Sequence, residues 1–99
     1  MSLNTKSTII TGAAGGIGLA CAERFVQEGA RVMIADVDVE NGEAAAKRLR
    51  DAGGDVQFLK TNTGDKTEVD ALVAHTVDTF GRVDVLINNA AILRMAPFL

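Results

Sequence analysis

The stretch Thr11-Gly12-Ala13-Ala14-Gly15-Gly16-Ile17-Gly18 joins a β-branched run to an amphipathic one, and its reading decides the fold. Ahead of it, Ser7-Thr8-Ile9-Ile10-Thr11 has the composition of a short buried strand that runs into a tight turn. Behind it, Ile17, Ala20, Cys21, Phe25 and Val26 recur at helical spacing until Gly29, which is placed to cap the helix. A strand that ends in glycines and feeds a helix presents free backbone N–H groups and the positive end of a helix dipole to one point in space, a natural seat for a phosphate. Gly12 lets the chain leave the strand sharply, Gly16 lets backbone approach a pyrophosphate, and Gly18 lets the helix pack closely on the sheet. Gly15 and Ile17 complete the surface that the phosphates would meet, with the Ile17 N–H among the donors.

Working outward, the same alternation repeats. Arg31 to Asp36 carries the apolar run Val32-Met33-Ile34-Ala35, and the stretch from about Asp38 to Ala52 is rich in helix formers before Gly53-Gly54. Val56-Gln57-Phe58-Leu59 begins a third strand. Asp65 with Glu68 resembles a capping box that opens a helix through Val69, Leu72, Val73, Thr76, Val77 and Phe80, closed by Gly81. Val83 to Ile87 reads as a fourth strand, followed by Asn88-Asn89-Ala90-Ala91 and a tail with the only proline, Pro97. Alternating strands and helices with short links imply parallel strands joined by right-handed crossovers. The expected fold is therefore α/β: a three-layer, doubly wound parallel sheet of Rossmann type, strand order 3-2-1-4, with helices on both faces. In that order the first two helices share one face and the third takes the other. The sheet is then incomplete, with apolar surface bare on the second face and the fourth strand at an open edge.

Composition narrows the function classes. The 99 residues are 47% hydrophobic with a formal charge of −3, enough for one domain and no more. Acids and bases are interspersed, so neither a nucleic acid nor an anionic membrane is an expected partner. No signal-peptide core or membrane span is evident, which makes a cytoplasmic location the default expectation. Cys21 and His75 are the only residues of their kinds, so an internal disulfide and a Cys/His metal cluster are both excluded. Cys21 reads as a packed thiol and His75 as a boundary or solvated residue.

Asp36 sharpens the phosphate site into a dinucleotide site. It closes the second strand eighteen positions past Gly18, where a carboxylate can accept hydrogen bonds from the adenosine ribose hydroxyls. Its charge would repel the 2′-phosphate of NADP, and neither Gly15 nor Val37 is replaced by a lysine or arginine that would attract it. NAD is thus the expected cofactor, in preference to NADP.

The pattern Thr-Gly-x-x-x-Gly-x-Gly at Thr11 to Gly18, together with Asn-Asn-Ala-Ala at Asn88 to Ala91, resembles the short-chain dehydrogenase/reductase family. Phe80 to Ile87 looks like that family's usual lead-in to the paired asparagines. The resemblance implies that Asn62 and Thr63 contact the adenine ring and that Asn89, Ala90 and Ala91 line the ribose and pyrophosphate path. Two positions depart from the pattern: the family often has aspartate at Asn62 and usually glycine at Ala91. An asparagine oxygen still accepts from the adenine amino group, whereas a methyl at Ala91 crowds close approach by the cofactor. Asn88 and Asn89 also admit a structural reading, in which their amides tie neighbouring strands together.

The family's reaction is hydride exchange between the nicotinamide and an alcohol or carbonyl substrate, with a tyrosine acid/base, a lysine four residues later, a serine and an asparagine. This chain has no tyrosine, and no catalytic residue is assigned to it. The resemblance implies that residues 1–99 are a single NAD-binding domain fragment, the N-terminal half of such an enzyme, inactive alone. A second reading is a non-catalytic nucleotide-binding or assembly module that self-associates through its open fourth strand, and a homo-oligomer is expected on either reading. A methyltransferase using S-adenosylmethionine also places an acid after the second strand, but its glycines are spaced differently and it gives the paired asparagines no task.

Overall fold

The computed structural model describes residues 4–89. Seven elements follow in strict alternation: β1 (Ser7–Thr11), α1 (Gly16–Gln27), β2 (Arg31–Asp36), α2 (Val39–Asp51), β3 (Asp55–Lys60), α3 (Lys66–Phe80) and β4 (Val85–Asn88). The strands form one parallel sheet in the order β3-β2-β1-β4, the order expected from the sequence. All five residues of β1 are buried, because a central parallel strand is covered on both faces and flanked on both edges.

The register assigns each residue to a face. Thr8, Val32 and Val56 stand side by side, as do Ile10, Ile34 and Phe58, and these point toward α1 and α2. Ala22 of α1 and Ala45, Ala46 and Leu49 of α2 pack onto them, the small side chains letting two helices approach the sheet together. Ile9, Met33 and Ala35 point the other way, toward Leu72 and Phe80 of α3. The first two helices therefore share a face and the third crosses to the other, as a right-handed crossover from β3 to a strand beyond β1 requires. Cys21 is half-buried against the two-helix core, and His75 lies on the exposed side of α3.

Local expectations were met at most helix ends and revised at two places. α1 closes with Gly29 N–H donating to Val26 O and Ala30 N–H to Phe25 O, a carbonyl-capturing pair just past the last turn. Asp65 caps α3 by accepting from Thr67 N and Glu68 N. The reciprocal half of the capping box does not form: Asp65 N already donates to Asn62 O, so Glu68 reaches further back and accepts from Asn62 N at 2.9 Å. β4 begins at Val85 rather than Val83, since the Asp84 carboxylate itself accepts from Ser7 N at 2.8 Å and Asp84 N donates to Ser7 O. A side chain replaces a rung of the ladder there. Arg82 donates to the same carboxylate at 2.8 Å, and this bond, with that from Ser7, holds Asp84 below the usual carboxylate range.

Candidate functional site

The carboxyl ends of β1, β2 and β3 meet the turn between β1 and α1, on the side of the sheet where its strand order reverses. The turn is built by its glycines in different ways. Gly12 and Gly16 hold φ of +66° and +58°, backbone that a side chain disfavours. A Cβ at Gly18 would lie 2.2 Å from Gly12 O, so α1 packs directly against the turn as well as the sheet. At Gly15 and Gly16, by contrast, an added Cβ would meet nothing within 4 Å. That open space fronts the N-terminus of α1, which has no side-chain cap and no acid in its first turn, so no side chain competes for its donors. Ile17 is exposed beside it. Uncapped donors facing open space at a helix N-terminus are the setting that favours an anion.

Three contacts pin the turn to the sheet. Gly12 N donates to Ala35 O at 2.8 Å, Asn89 Nδ2 donates to Gly12 O at 3.2 Å, and Ala14 N donates to Asp36 Oδ2 at 3.1 Å. Asp36 Oδ1 accepts from Asp38 N at 3.0 Å, so the carboxylate bridges the turn and the start of α2. Beside it lies a cavity of about 240 Å³ lined by Gly12, Ala35, Asp36, Val37, Thr61, Asn62 and Thr63. The structure thus brings Gly12, Asp36, Asn62 and Thr63 to one cavity and sets Gly15, Gly16, Ile17 and Gly18 along its turn. A larger groove of about 520 Å³ between α1 and α2 opens at the other end of the sheet, near Gln27 and Gly53. Its charged walls, Glu23 and Arg48, are already paired, and it lies away from the strands' carboxyl ends.

The asparagines divide. Asn88 Oδ1 accepts from Thr11 Oγ1 at 3.1 Å across the β1–β4 pair, a strand tie of the kind the structural reading anticipates. Asn89 is 3% exposed with its amide turned to Gly12, which brings it beside the turn. Ala90 and Ala91 lie outside the described residues. Asn62 Oδ1 accepts from Gly64 N at 2.9 Å, which orients the amide and leaves that oxygen one further lone pair for a base.

One residue was missed in the sequence and another was given a different bond. Thr61 is buried in the cavity wall, its N–H donating to Asp36 O, and Glu68 holds the loop through Asn62 N. Thr61 follows β3 directly and could have been suspected from its place there. Glu68 was noticed, but for a different bond.

Known proteins share this architecture. A short-chain dehydrogenase/reductase from Burkholderia phymatum, whose structure was solved in complex with NAD, superposes with a TM-score of 0.85 at 32% identity, over 87% of this chain and 31% of that one. A hydroxysteroid dehydrogenase from Escherichia coli also superposes at 0.85, with 30% identity over 88% of this chain and 36% of that one. Among curated sequences, galactitol 2-dehydrogenase of Agrobacterium fabrum is 43% identical over 98% of this chain and 37% of its own length. The 3-oxoacyl-[acyl-carrier-protein] reductase of Thermotoga maritima is 41% identical over 97% of this chain and 39% of its own length. The chain therefore spans somewhat more than a third of the curated relatives it matches. The family model for short chain dehydrogenases matches residues 6–99, and the chain belongs to that family.

Proposed function

We propose that residues 1–99 are the N-terminal, NAD-binding portion of an oxidoreductase that moves hydride between NAD and an alcohol or carbonyl substrate. The observation that carries this reading is the Asp36 carboxylate, which lines the cavity and accepts from Ala14 N, the residue before the open backbone at Gly15 and Gly16. Asp36 would accept from the adenosine ribose hydroxyls, Asn62 and Thr63 would flank the adenine, and the turn with the Ile17 N–H would hold the pyrophosphate. Asn89, Ala90 and Ala91 would border the path toward the nicotinamide. NAD, once bound, supplies the hydride acceptor or donor. The chain has no tyrosine, so the proton-transferring group belongs to residues outside it. Relatives of nearly equal identity are named for galactitol and for a 3-oxoacyl-[acyl-carrier-protein], which favours neither as the substrate.

Calorimetry provides the test. NAD and ADP-ribose should bind with similar strength and both more tightly than NADP, because the 2′-phosphate meets the Asp36 charge. Tighter binding of NADP would overturn the assignment. With this reading go a cytoplasmic location and partners limited to small molecules and further copies of the chain. Among the described residues no helix is long and apolar enough to cross a membrane.

A second reading, a non-catalytic nucleotide-binding module that self-associates, is favoured by one observation. On the face covered by α3, Leu86 of β4, the outer strand of the sheet among the described residues, is 56% exposed, and Val73 and Val77 stand exposed on the helix. Homo-oligomerisation through that face would cover them. Sedimentation showing a stable monomer of these residues would exclude it.

A further inference from the structure

We infer that Asp36, besides meeting the ribose, positions the phosphate-binding turn through its bond to Ala14 N–H, so that the ribose and phosphate subsites form one coupled unit. This rests on the cofactor reading above only for the identity of the ligand. The bond itself belongs to the chain.

The turn is held at Gly12 and again at Ala14. Its first residue is fixed on both sides, Gly12 N on Ala35 O and Gly12 O on Asn89 Nδ2. Two residues on, Ala14 N donates to Asp36 Oδ2, twenty-two positions away in sequence. Beyond Ala14 the chain enters the open stretch at Gly15 and Gly16, where no neighbouring group stands within 4 Å of a Cβ position. Ala14 is thus the last anchored residue before the phosphate cradle, and its anchor is a carboxylate, a stronger acceptor than a neutral carbonyl. Asp36 is in turn steadied by Asp38 N on its other oxygen and by its place at the end of β2. The two roles are compatible. An ionised carboxylate has about four lone-pair sites, and the two N–H groups occupy one on each oxygen, leaving one on each for the two ribose hydroxyls.

The coupling has a sign that separates it from plain electrostatics. Taking a negative charge away from an anion site should strengthen the binding of pyrophosphate. If Asp36 positions the turn, removing it should weaken that binding, although inorganic pyrophosphate offers no ribose for Asp36 to contact.

The test uses the full chain, labelled with ¹⁵N, as native protein and as D36A and D36N. Amide hydrogen exchange without ligand reads the anchor, and a titration with inorganic pyrophosphate, followed at the Ile17 and Gly18 amides, reads the cradle. In D36A, Ala14 exchange should accelerate by about tenfold or more while Ile10 in β1 changes by less than about twofold. Pyrophosphate affinity should fall by roughly threefold or more. D36N, which keeps one carbonyl acceptor and the shape of the side chain, should fall between on both readings, and it carries the test if the alanine variant does not fold. Unchanged Ala14 protection, or pyrophosphate binding equal to or tighter than native in either variant, would overturn the inference. Failure of the native chain to bind NAD would instead count against the cofactor reading, since the exchange measurement needs no ligand.

Discussion

On one face of the sheet α1 and α2 lie over Ile10, Val32, Ile34 and Val56, all fully buried. On the other face, among the described residues, α3 alone lies over Ile9, Met33 and Ala35, and Leu86 of β4 stands 56% exposed. The difference follows from topology. Two successive crossovers, β1 to β2 and β2 to β3, run in the same direction along the sheet and deliver two helices to one side. The third, from β3 to β4, passes back over the sheet and delivers a single helix to the other. The first face is completed by local chain. Completion of the second depends on residues beyond the described ones or on another molecule. The candidate site sits where the two directions part, held mainly from the completed side through Asp36 and the packing of α1 at Gly18.

The sharpest way to break this contrast is to trim one large apolar residue on each face. Ile34→Ala should cost about 2–5 kcal/mol in urea unfolding, through lost transfer energy and the cavity left behind. Leu86→Ala should cost less than about 1 kcal/mol, since the side chain is largely solvated in the folded chain. A cost at Leu86 rivalling that at Ile34 would mean that the second face is covered in solution.

A smaller effect is expected at the turn. Gly18→Ala forces a methyl onto Gly12 O, a backbone atom that can yield only by moving the turn, and should lower stability by about 1–3 kcal/mol. Gly15→Ala has extended backbone and open space, so its denaturation midpoint should move less than that of Gly18→Ala. Equal shifts in the two variants would show that α1 does not rest on the turn.

The smallest effect concerns the far end of the sheet, where Asp84 joins β1 to the open-edge strand β4. Its folded pKa is depressed, chiefly by the Arg82 hydrogen bond and then by Ser7 N. Its contribution to stability is therefore fully present above the unfolded value of about 3.9 and is lost as pH falls through the lower folded value. Asp84→Asn should lose less stability than the native chain on acidification below about pH 4, as followed by circular dichroism at several urea concentrations. Identical acid profiles would remove Asp84 from the account of how β4 is attached.

Much of this was legible in the sequence, for reasons that differ by residue. The helix of Ile17 to Val26 could be read because apolar positions three and four apart mark one face whatever the surroundings. Asp65 could be read as a cap because its partners, Thr67 N and Glu68 N, lie within three residues. Glu68 was misread because Asp65 N–H is taken by Asn62 O, and that depends on how the loop after β3 folds back. The start of β4 was misplaced because Asp84 interacts with Ser7, seventy-seven positions earlier. Asp36 was singled out from its place after β2 and expected to meet a ribose, but its hold on Ala14 was not foreseen.

The sequence by itself determined the order and kind of the elements, the placing of glycines where the chain must turn or pack closely, and the acid at the end of the second strand. These rest on local sterics, helical periodicity and short-range hydrogen bonds, which act between near neighbours in the chain. Only the tertiary structure decided which carbonyl Asn89 serves, which N–H Asp36 holds, and that Leu86 stands uncovered. Those outcomes depend on groups far apart in sequence being brought within about 3 Å, or left apart, by the pairing of parallel strands, and no local pattern encodes that meeting.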